Sequence, residues 1–349
     1  MCQCTVTYAL TNEQETALKA FFNTIPDPCA EQYPGWLRMC YPKNRICSFM
    51  LEEGGKVVFS AEVLEVKDAL SKTAIVQFGP LCCNYSYLVK GIDELFKWYK
   101  QKGYTLLKVQ MGQKIDAATE LSEHLLNQKY KIRYSFDKNS NWSSIALNLA
   151  QPEEVLFRNF SKGHKSSVKK AIKEGVSASA MTQLQEVEEF SSVYLRMNKA
   201  RGLPVQEQET AAQLKDTFQF LQRNQLGQFF ALKDMQGKMI GGLVIIYQGQ
   251  TVRYYKGAAD PDYRHLPVLH LGMYEAIKHS RELGKKSFDF WGYNHLVEPD
   301  DQRFNINIFK KGFGGEFIFY PKELTFEINP FRSAIKGMAA KLYRQVKKS

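Results

Sequence analysis

Apolar residues change their period several times along this chain, and the changes recur. Leu88, Ile92, Leu95, Phe96 and Tyr99 fall at helical spacing, whereas Val57, Phe59, Ala61 and Val63 alternate as one face of a strand does. Gly91-Ile92-Asp93-Glu94-Leu95-Phe96-Lys97 aligns with Gly272-Met273-Tyr274-Glu275-Ala276-Ile277-Lys278 at an offset of 181. In each copy a second glycine follows twelve residues later, Gly103 and Gly284, where a helix C-cap glycine belongs. Strand-like segments come next, at 104–111 and 287–292. Upstream, Lys56-Val57-Val58-Phe59 aligns with Lys238-Met239-Ile240-Gly241 at an offset of 182, and a glycine ends a strand at Gly79-Pro80 and again at Gly257-Ala258. Recurrence in the same order at nearly constant offset predicts two α/β domains on one plan: helix, two or three antiparallel strands, helix, strand.

The boundary is expected at Leu149-Ala150-Gln151-Pro152-Glu153-Glu154-Val155, where a proline and two acids make a helix start. A basic helix over 157–173 then opens the second half and stops at Gly175, with Leu156, Phe160, Val168 and Ile172 facing the fold. This reading gives domains at 1–150 and 151–325. A basic segment, 326–349, carries Ile335, Met338, Ala339, Leu342 and Val346 on one face. That face is expected to pack back on the first domain, the alternative being rest on an anionic membrane.

With 349 residues the chain is long enough for two cores, and 44% hydrophobic and 24% charged residues are ordinary for a globular protein. No apolar run reaches the length of a membrane span, and the start lacks a signal-peptide layout, so a cytoplasmic protein is expected. Lys and Arg number 47 against 36 Asp and Glu, a net charge of +11 that favours polyanionic partners. The excess is uneven: 158–173 holds six Lys/Arg and no acid, and so does 331–349. A solvated helix face is the plain reading of either run. All seven cysteines precede residue 84, without zinc-finger spacing; reduced thiols and no metal are expected.

One stretch carries distinct chemistry: Phe309-Lys310-Lys311-Gly312-Phe313-Gly314-Gly315, about twenty residues after Phe288-Asp289-Phe290-Trp291-Gly292. An ammonium held there is a candidate for stabilising a phosphate or a transition-state oxyanion, and a solvated lysine in a glycine-rich loop is the plain alternative. Asp289 is a base, an anchor for an amine, or a turn cap. Tyr254 and Tyr255 are cleft or core residues. The histidines form no readable triad.

In order, Tyr33-Pro34-Gly35-Trp36, Phe78-Gly79-Pro80, Lys169-Lys170-Ala171 with Gly175-Val176, and Arg201-Gly202 run along the chain. Tyr254-Tyr255-Lys256-Gly257-Ala258, Asp289 with Gly292, and Phe309-Lys310 with Gly312-Phe313-Gly314 complete the series. With these the chain resembles the FemABX family of peptidoglycan aminoacyltransferases and its BioF2-like relatives. The resemblance implies two tandem GNAT-like acyltransferase domains with mixed central sheets. Residues 206–226 leave room for only a short helix, so the long coiled-coil arm of some relatives is not expected. It also implies transfer of an amino acid from aminoacyl-tRNA to an amine of a nucleotide- or lipid-linked muropeptide, by a monomer working at the inner face of the membrane.

On that likeness Lys310, behind Phe309, lies near the reacting carbonyl or the tRNA terminus, while Arg201, with Arg38 and Lys43 as looser matches, meets the precursor diphosphate. Trp291 and Tyr293 are bulkier than the family's usual surroundings. No cofactor is implied. An ordinary acyl-CoA-dependent N-acyltransferase is the alternative, but Arg264-His265-Leu266-Pro267-Val268-Leu269 lacks the glycines and one N–H that a pyrophosphate turn uses. A non-catalytic adaptor binding RNA or membrane through the basic runs is the third reading.

Overall fold

A computed structural model describes residues 2–112, 124, 126–130, 132–135, 143–204, 206–301, 303–335 and 338. The chain forms two compact units, one of residues 1–137 with 319–349 and the other of residues 138–318.

In the first unit, β1 (Gln3–Thr7), β2 (Arg45–Glu53), β3 (Lys56–Lys67), β4 (Lys72–Val76), β6 (Leu106–Val109), β15 (Glu323–Glu327) and β7 (Ile132–Ser135) lie side by side in that order. A two-residue β5 (Leu81–Cys82) pairs with β3. Helices α1 (Asn12–Thr24), α2 (Trp36–Cys40) and α3 (Tyr85–Gln101) accompany them. In the second unit the order is β9 (Ser177–Ala180), β10 (Gly227–Lys233), β11 (Met239–Gln248), β12 (Thr251–Ala259), β13 (Ser287–Asp289), β8 (Ser143–Asn148) and β14 (Glu316–Phe319). Its helices are α4 (Glu153–Asn159), α5 (Lys162–Lys173), α6 (Leu184–Ala200), α7 (Glu207–Asn224), α8 (Val268–Glu282) and α9 (Phe304–Lys311).

The two sheets have one plan. Four strands run antiparallel, the fourth pairs parallel with the fifth (β4 with β6, β12 with β13), and an antiparallel strand follows. That strand is exchanged: β15, from the far end of the chain, lies between β6 and β7 in the first sheet, while β8, which precedes the second repeat, lies between β13 and β14 in the second. The aligned helices α3 and α8 both end in a left-handed glycine, Gly103 at φ 68° and Gly284 at φ 71°.

Packing follows the pleat. On β11 a Cβ at Gly241 would lie 2.7 Å from Val268 of α8, and one at Gly242 would lie 2.5 Å from the Phe190 ring of α6. Successive residues point to opposite faces, so the two helices cover opposite sides of the sheet, which is why β11 is apolar and buried nearly throughout. In the first unit Phe59 of β3 meets α3 at Gly91, and Phe49, Ile92, Leu95, Tyr99, Leu107, Leu324 and Phe326 share that core.

Three expectations need correction. The units divide at 137/138 and 318/319, not at 150 and 325, because β8 pairs with β13 and β15 pairs with β6. The helix over 157–173 is two: α4 stops at Phe160, where the chain turns extended, and Ser161 caps α5 by accepting from the His164 N–H. Ile172 is 55% exposed, so the inward face of α5 is His164, Val168 and Ala171 instead. Of the terminal segment, Ile335 and Met338 are exposed, and Ala339, Leu342 and Val346 lie outside the described residues. No described helix is long and apolar enough to cross a membrane, and α6 and α7 are an ordinary helical pair with no long arm.

Because Phe326 is fully buried while Phe331 is 76% exposed, Phe326→Ala should cost about 3–5 kcal/mol. Phe331→Ala should stay within about 0.5 kcal/mol. Urea unfolding of the full chain measures both, and equal effects would mean that β15 is not a core strand.

Candidate functional site

The second sheet opens where β12 and β13 part. Their parallel pairing covers only Thr251, Val252 and Arg253 against Ser287, Phe288 and Asp289, while β12 runs on to Ala259. Past Arg253, β12 bulges at Tyr255, since Val244 and Ile245 of β11 face Lys256 and Tyr254. A bulge of this kind bends the strand and re-aims its side chains. Beyond β13 the chain turns back sharply, with Trp291 at φ 48° and Gly292 at φ 59°.

That turn is held from several sides. The Asp289 carboxylate, 2% exposed, accepts from the Trp291 N–H at 2.8 Å and from the Ser144 hydroxyl on β8. The guanidinium of buried Arg253 lies over the Trp291 ring, 3.5 Å from its centre. Asn307 of α9 donates to the Asn294 carbonyl at 2.7 Å and accepts from the Asn294 N–H at 3.3 Å. The helix and the turn are therefore clamped together.

Lys310 sits in the last turn of α9, not in a loop, and is 6% exposed. Its ammonium donates to the Trp291 carbonyl and lies 6.0 Å from the Tyr254 ring centre. Burial pulls its pKa down to about 8, against the opposing pull of Asp289. The site therefore holds a cation at neutral pH that loses its proton within the range of mild alkali. Lys311, one residue on, is exposed.

The helix is braced from below. His164 of α5 donates from Nε2 to the Phe309 carbonyl at 2.8 Å and accepts at Nδ1 from the Ser161 hydroxyl at 2.9 Å, a neutral tautomer fixed by its two partners. Burial lowers its pKa, as it does for neighbouring His270, which falls to about 4. A Cβ at Gly312 would lie 1.9 Å from the His164 ring, so only glycine lets this brace close.

Of the residues singled out in the sequence, Lys310, Asp289, Tyr254 and Phe309 converge here. Burial holds the Tyr254 phenol above its ordinary pKa, with Tyr194 adding to the effect and the charge of Arg201 opposing it. Arg201, at the C-terminus of α6, is thus close enough to act on the Tyr254 hydroxyl. Tyr255 is turned toward Lys256, whose ammonium lies 5.2 Å from its ring centre.

Arg38 and Lys43 belong to the first unit. There Tyr8, Arg38, Tyr41, Pro42, Asn44, Arg45 and Ile46 line an open cleft of about 420 Å³. Arg38 pairs with Glu62 at 2.9 Å and donates to Ser48 at 3.0 Å, and burial pushes the Glu62 carboxyl up to about 7. Arg45 covers the Tyr8 ring at 4.2 Å. Lys43 is exposed and does not line the cleft.

Sequence reasoning overlooked Ser144, Arg253 and His164. Arg253 had a signal, a cation inside the apolar alternation of a strand expected to be buried. Ser144 and His164 had none, because each becomes meaningful only through a partner some 145 residues away.

The acetyltransferase (GNAT) domain family model matches residues 158–302. A lipid II:glycine glycyltransferase from Staphylococcus haemolyticus is 27% identical over 136 residues, a match that spans 39% of this chain and 30% of the relative's length. Among solved structures, FemX superposes with a TM-score of 0.79 at 14% identity, over 95% of this chain and 99% of its own. A tandem GNAT protein from the clavulanic acid biosynthesis pathway, solved without AcCoA, gives 0.57 at 12% identity over 95% and 99%. With two sheets of one plan and a GNAT match on the second repeat, this chain has a tandem GNAT fold like those of FemX and the clavulanic acid pathway protein.

Proposed function

We propose that this protein is an aminoacyltransferase that joins an amino acid, carried as the ester of a tRNA, to an amine of a lipid-linked muropeptide. The observation that carries this reading is the buried Lys310 ammonium at the parting of β12 and β13. The name of the staphylococcal relative supports the acceptor class.

An aminoacyl ester is already activated, so no covalent enzyme intermediate is needed. The acceptor amine attacks the ester carbonyl, the new C–N bond forms, and negative charge collects on the carbonyl oxygen. The intermediate collapses by breaking the bond to the ribose oxygen, which takes up the proton that the amine gives away. A preorganised cation is most useful on those two oxygens, and one such contact is worth about 2.7–4 kcal/mol. Lys310 is the group we assign to it. With a pKa of about 8 it is protonated at neutral pH and is acidic enough to give a proton to a departing alkoxide.

Asp289 fixes the turn by accepting from the Trp291 N–H, and its charge opposes the loss of the Lys310 proton. The Tyr254 ring lies beside the Lys310 ammonium, Phe309 packs against His164 and His270 behind it, and Arg201 brings positive charge to the Tyr254 side. In the first unit, the Arg38 and Arg45 guanidiniums beside an open cleft suit a diphosphate, as carried by a lipid- or nucleotide-linked precursor. The donor assignment rests on the turn before α8. Pro267 stands at its N-cap with no side-chain cap and no glycine, a poor seat for the pyrophosphate of CoA.

Purified protein given a set of aminoacyl-tRNAs and a lipid-linked muropeptide should yield an amide-extended peptide by mass spectrometry. Transfer from acyl-CoA with no RNA requirement would instead establish the CoA-dependent class. In the productive assay Lys310→Met should lower kcat by about 10²–10³, and unchanged turnover would remove Lys310 from the chemistry. The pH profile has a definite sign. A reaction that needs the ammonium declines as pH rises through about 8. Asp289→Asn, which keeps an acceptor oxygen for Ser144 and Trp291 but removes the charge supporting Lys310, should move that decline to lower pH. A rate that climbs through pH 8 would identify Lys310 as a base.

A further inference from the structure

The basic run at the start of the second repeat is a single ordered surface. On α5, Lys162, Lys165, Lys169 and Lys173 follow one another at steps of three, four and four residues. They form a stripe on one side of the helix, about 16 Å long with lysines about 4.5–6 Å apart. His164, Val168 and Ala171 occupy the inward side. Lys162, Lys169 and Lys173 are exposed, and Lys165 is half-buried with its ammonium on the Arg158 carbonyl at 3.0 Å. No described acidic side chain forms an ion pair with any of the four. The nearest acids in sequence are Glu174, at the C-cap, and Glu153 and Glu154 on α4.

The arrangement is unfavourable for the helix itself. The first turn holds no acid and two of the lysines, against the positive end of the helix dipole, and the steps of three and four bring like charges together. A solvated face would gain from interspersed acids, and this one has none between 158 and 173.

The surface continues beyond the helix. Lys170, outside the stripe, donates to the His265 carbonyl at 2.8 Å and ties α5 to the turn that precedes α8. There the exposed His265 ring stacks on Tyr263 at 6.1 Å, with Lys238 over the other ring at 5.0 Å. A row of cations beside an exposed ring is the combination that binds nucleic acid, phosphates on the cations and a base on the ring. The opposite side of α5 is the one that braces the Phe309 carbonyl, one residue before Lys310.

We propose that the lysine face of α5 is the docking surface for the phosphodiester backbone of the donor RNA. The inference rests on the aminoacyl-tRNA reading above and adds the surface that would receive it. Four evenly spaced cations match a polyanion with evenly spaced charges, and each neutralised phosphate contributes to the salt dependence of binding.

The test is binding of a fluorescein-labelled acceptor-stem minihelix, with an unpaired 3′ end, to the full chain by anisotropy across salt concentrations. Four phosphate contacts weaken binding by about 50- to 150-fold between 50 and 200 mM salt. In Lys162→Gln/Lys165→Gln/Lys169→Gln/Lys173→Gln the slope of log affinity against log salt should flatten by about 3. The corresponding four-arginine variant should restore it, and circular dichroism melting checks that both remain folded.

A folded glutamine variant with the wild-type slope overturns the proposal. So does a variant that keeps RNA affinity but loses binding to phosphatidylglycerol vesicles, which would assign the face to a membrane. Lysine-dependent RNA binding without amide formation from any aminoacyl-RNA leaves the surface standing and removes the transfer reading. Amide formation by the glutamine variant at an unchanged KM for the RNA donor does the reverse.

Discussion

Burying an ammonium is costly, and the second unit is arranged around doing so at Lys310. An ion withdrawn from water loses several kcal/mol unless fixed dipoles and charges replace its hydration. Here the replacement is a backbone carbonyl, that of Trp291, with the Asp289 carboxylate and the Tyr254 ring contributing at longer range. The carbonyl points inward only because Trp291 takes a left-handed backbone, unfavourable for a bulky residue by about 1–3 kcal/mol. Three contacts hold it there: the Asp289 cap, the stacked Arg253 and the Asn294–Asn307 clamp. The depressed pKa of Lys310 reports what remains of the cost after these compensations.

Much of the fold could be read from the sequence because it is written twice. The glycine that ends α3 and the one that ends α8 are punctuation in a repeated sentence, and the offset between the copies locates equivalent strands even at low identity. What could not be read was the sheet that each exchanged strand joins. Residues 143–148 and 323–327 look like ordinary half-buried strands, and nothing local tells which sheet they join. Ile172 failed for a related reason, since helical period sets the spacing of an apolar face but the cap at Ser161 sets its phase. Lys310 was found through the aromatic and glycine residues around it. The groups that position it, Ser144 and His164, are common residue types whose meaning comes from long-range contact.

The positive charge of this chain is partitioned by role. Arg38 is tied to a buried glutamate in the first unit, Arg253 is spent on a ring, and Lys310 is sealed in the site. Among the described residues, the lysines of α5 make a continuous field, three of them exposed, without acidic partners on their own helix. Net charge as a sum conceals this, for exposed charges act over distances comparable to the Debye length in a way that buried or paired ones do not.

The exchange of strands also bears on how the protein is made. A nascent chain emerges from its N-terminus, so β6 is synthesised more than two hundred residues before β15, the neighbour that covers its edge. At ordinary rates of translation this leaves a sheet edge unpaired for roughly 10–40 s. All the strands of the second sheet, β8 to β14, have left the ribosome before β15 appears. The half of the protein synthesised first is thus the last to be finished, and its open edge during that interval is where a chaperone would be of most use.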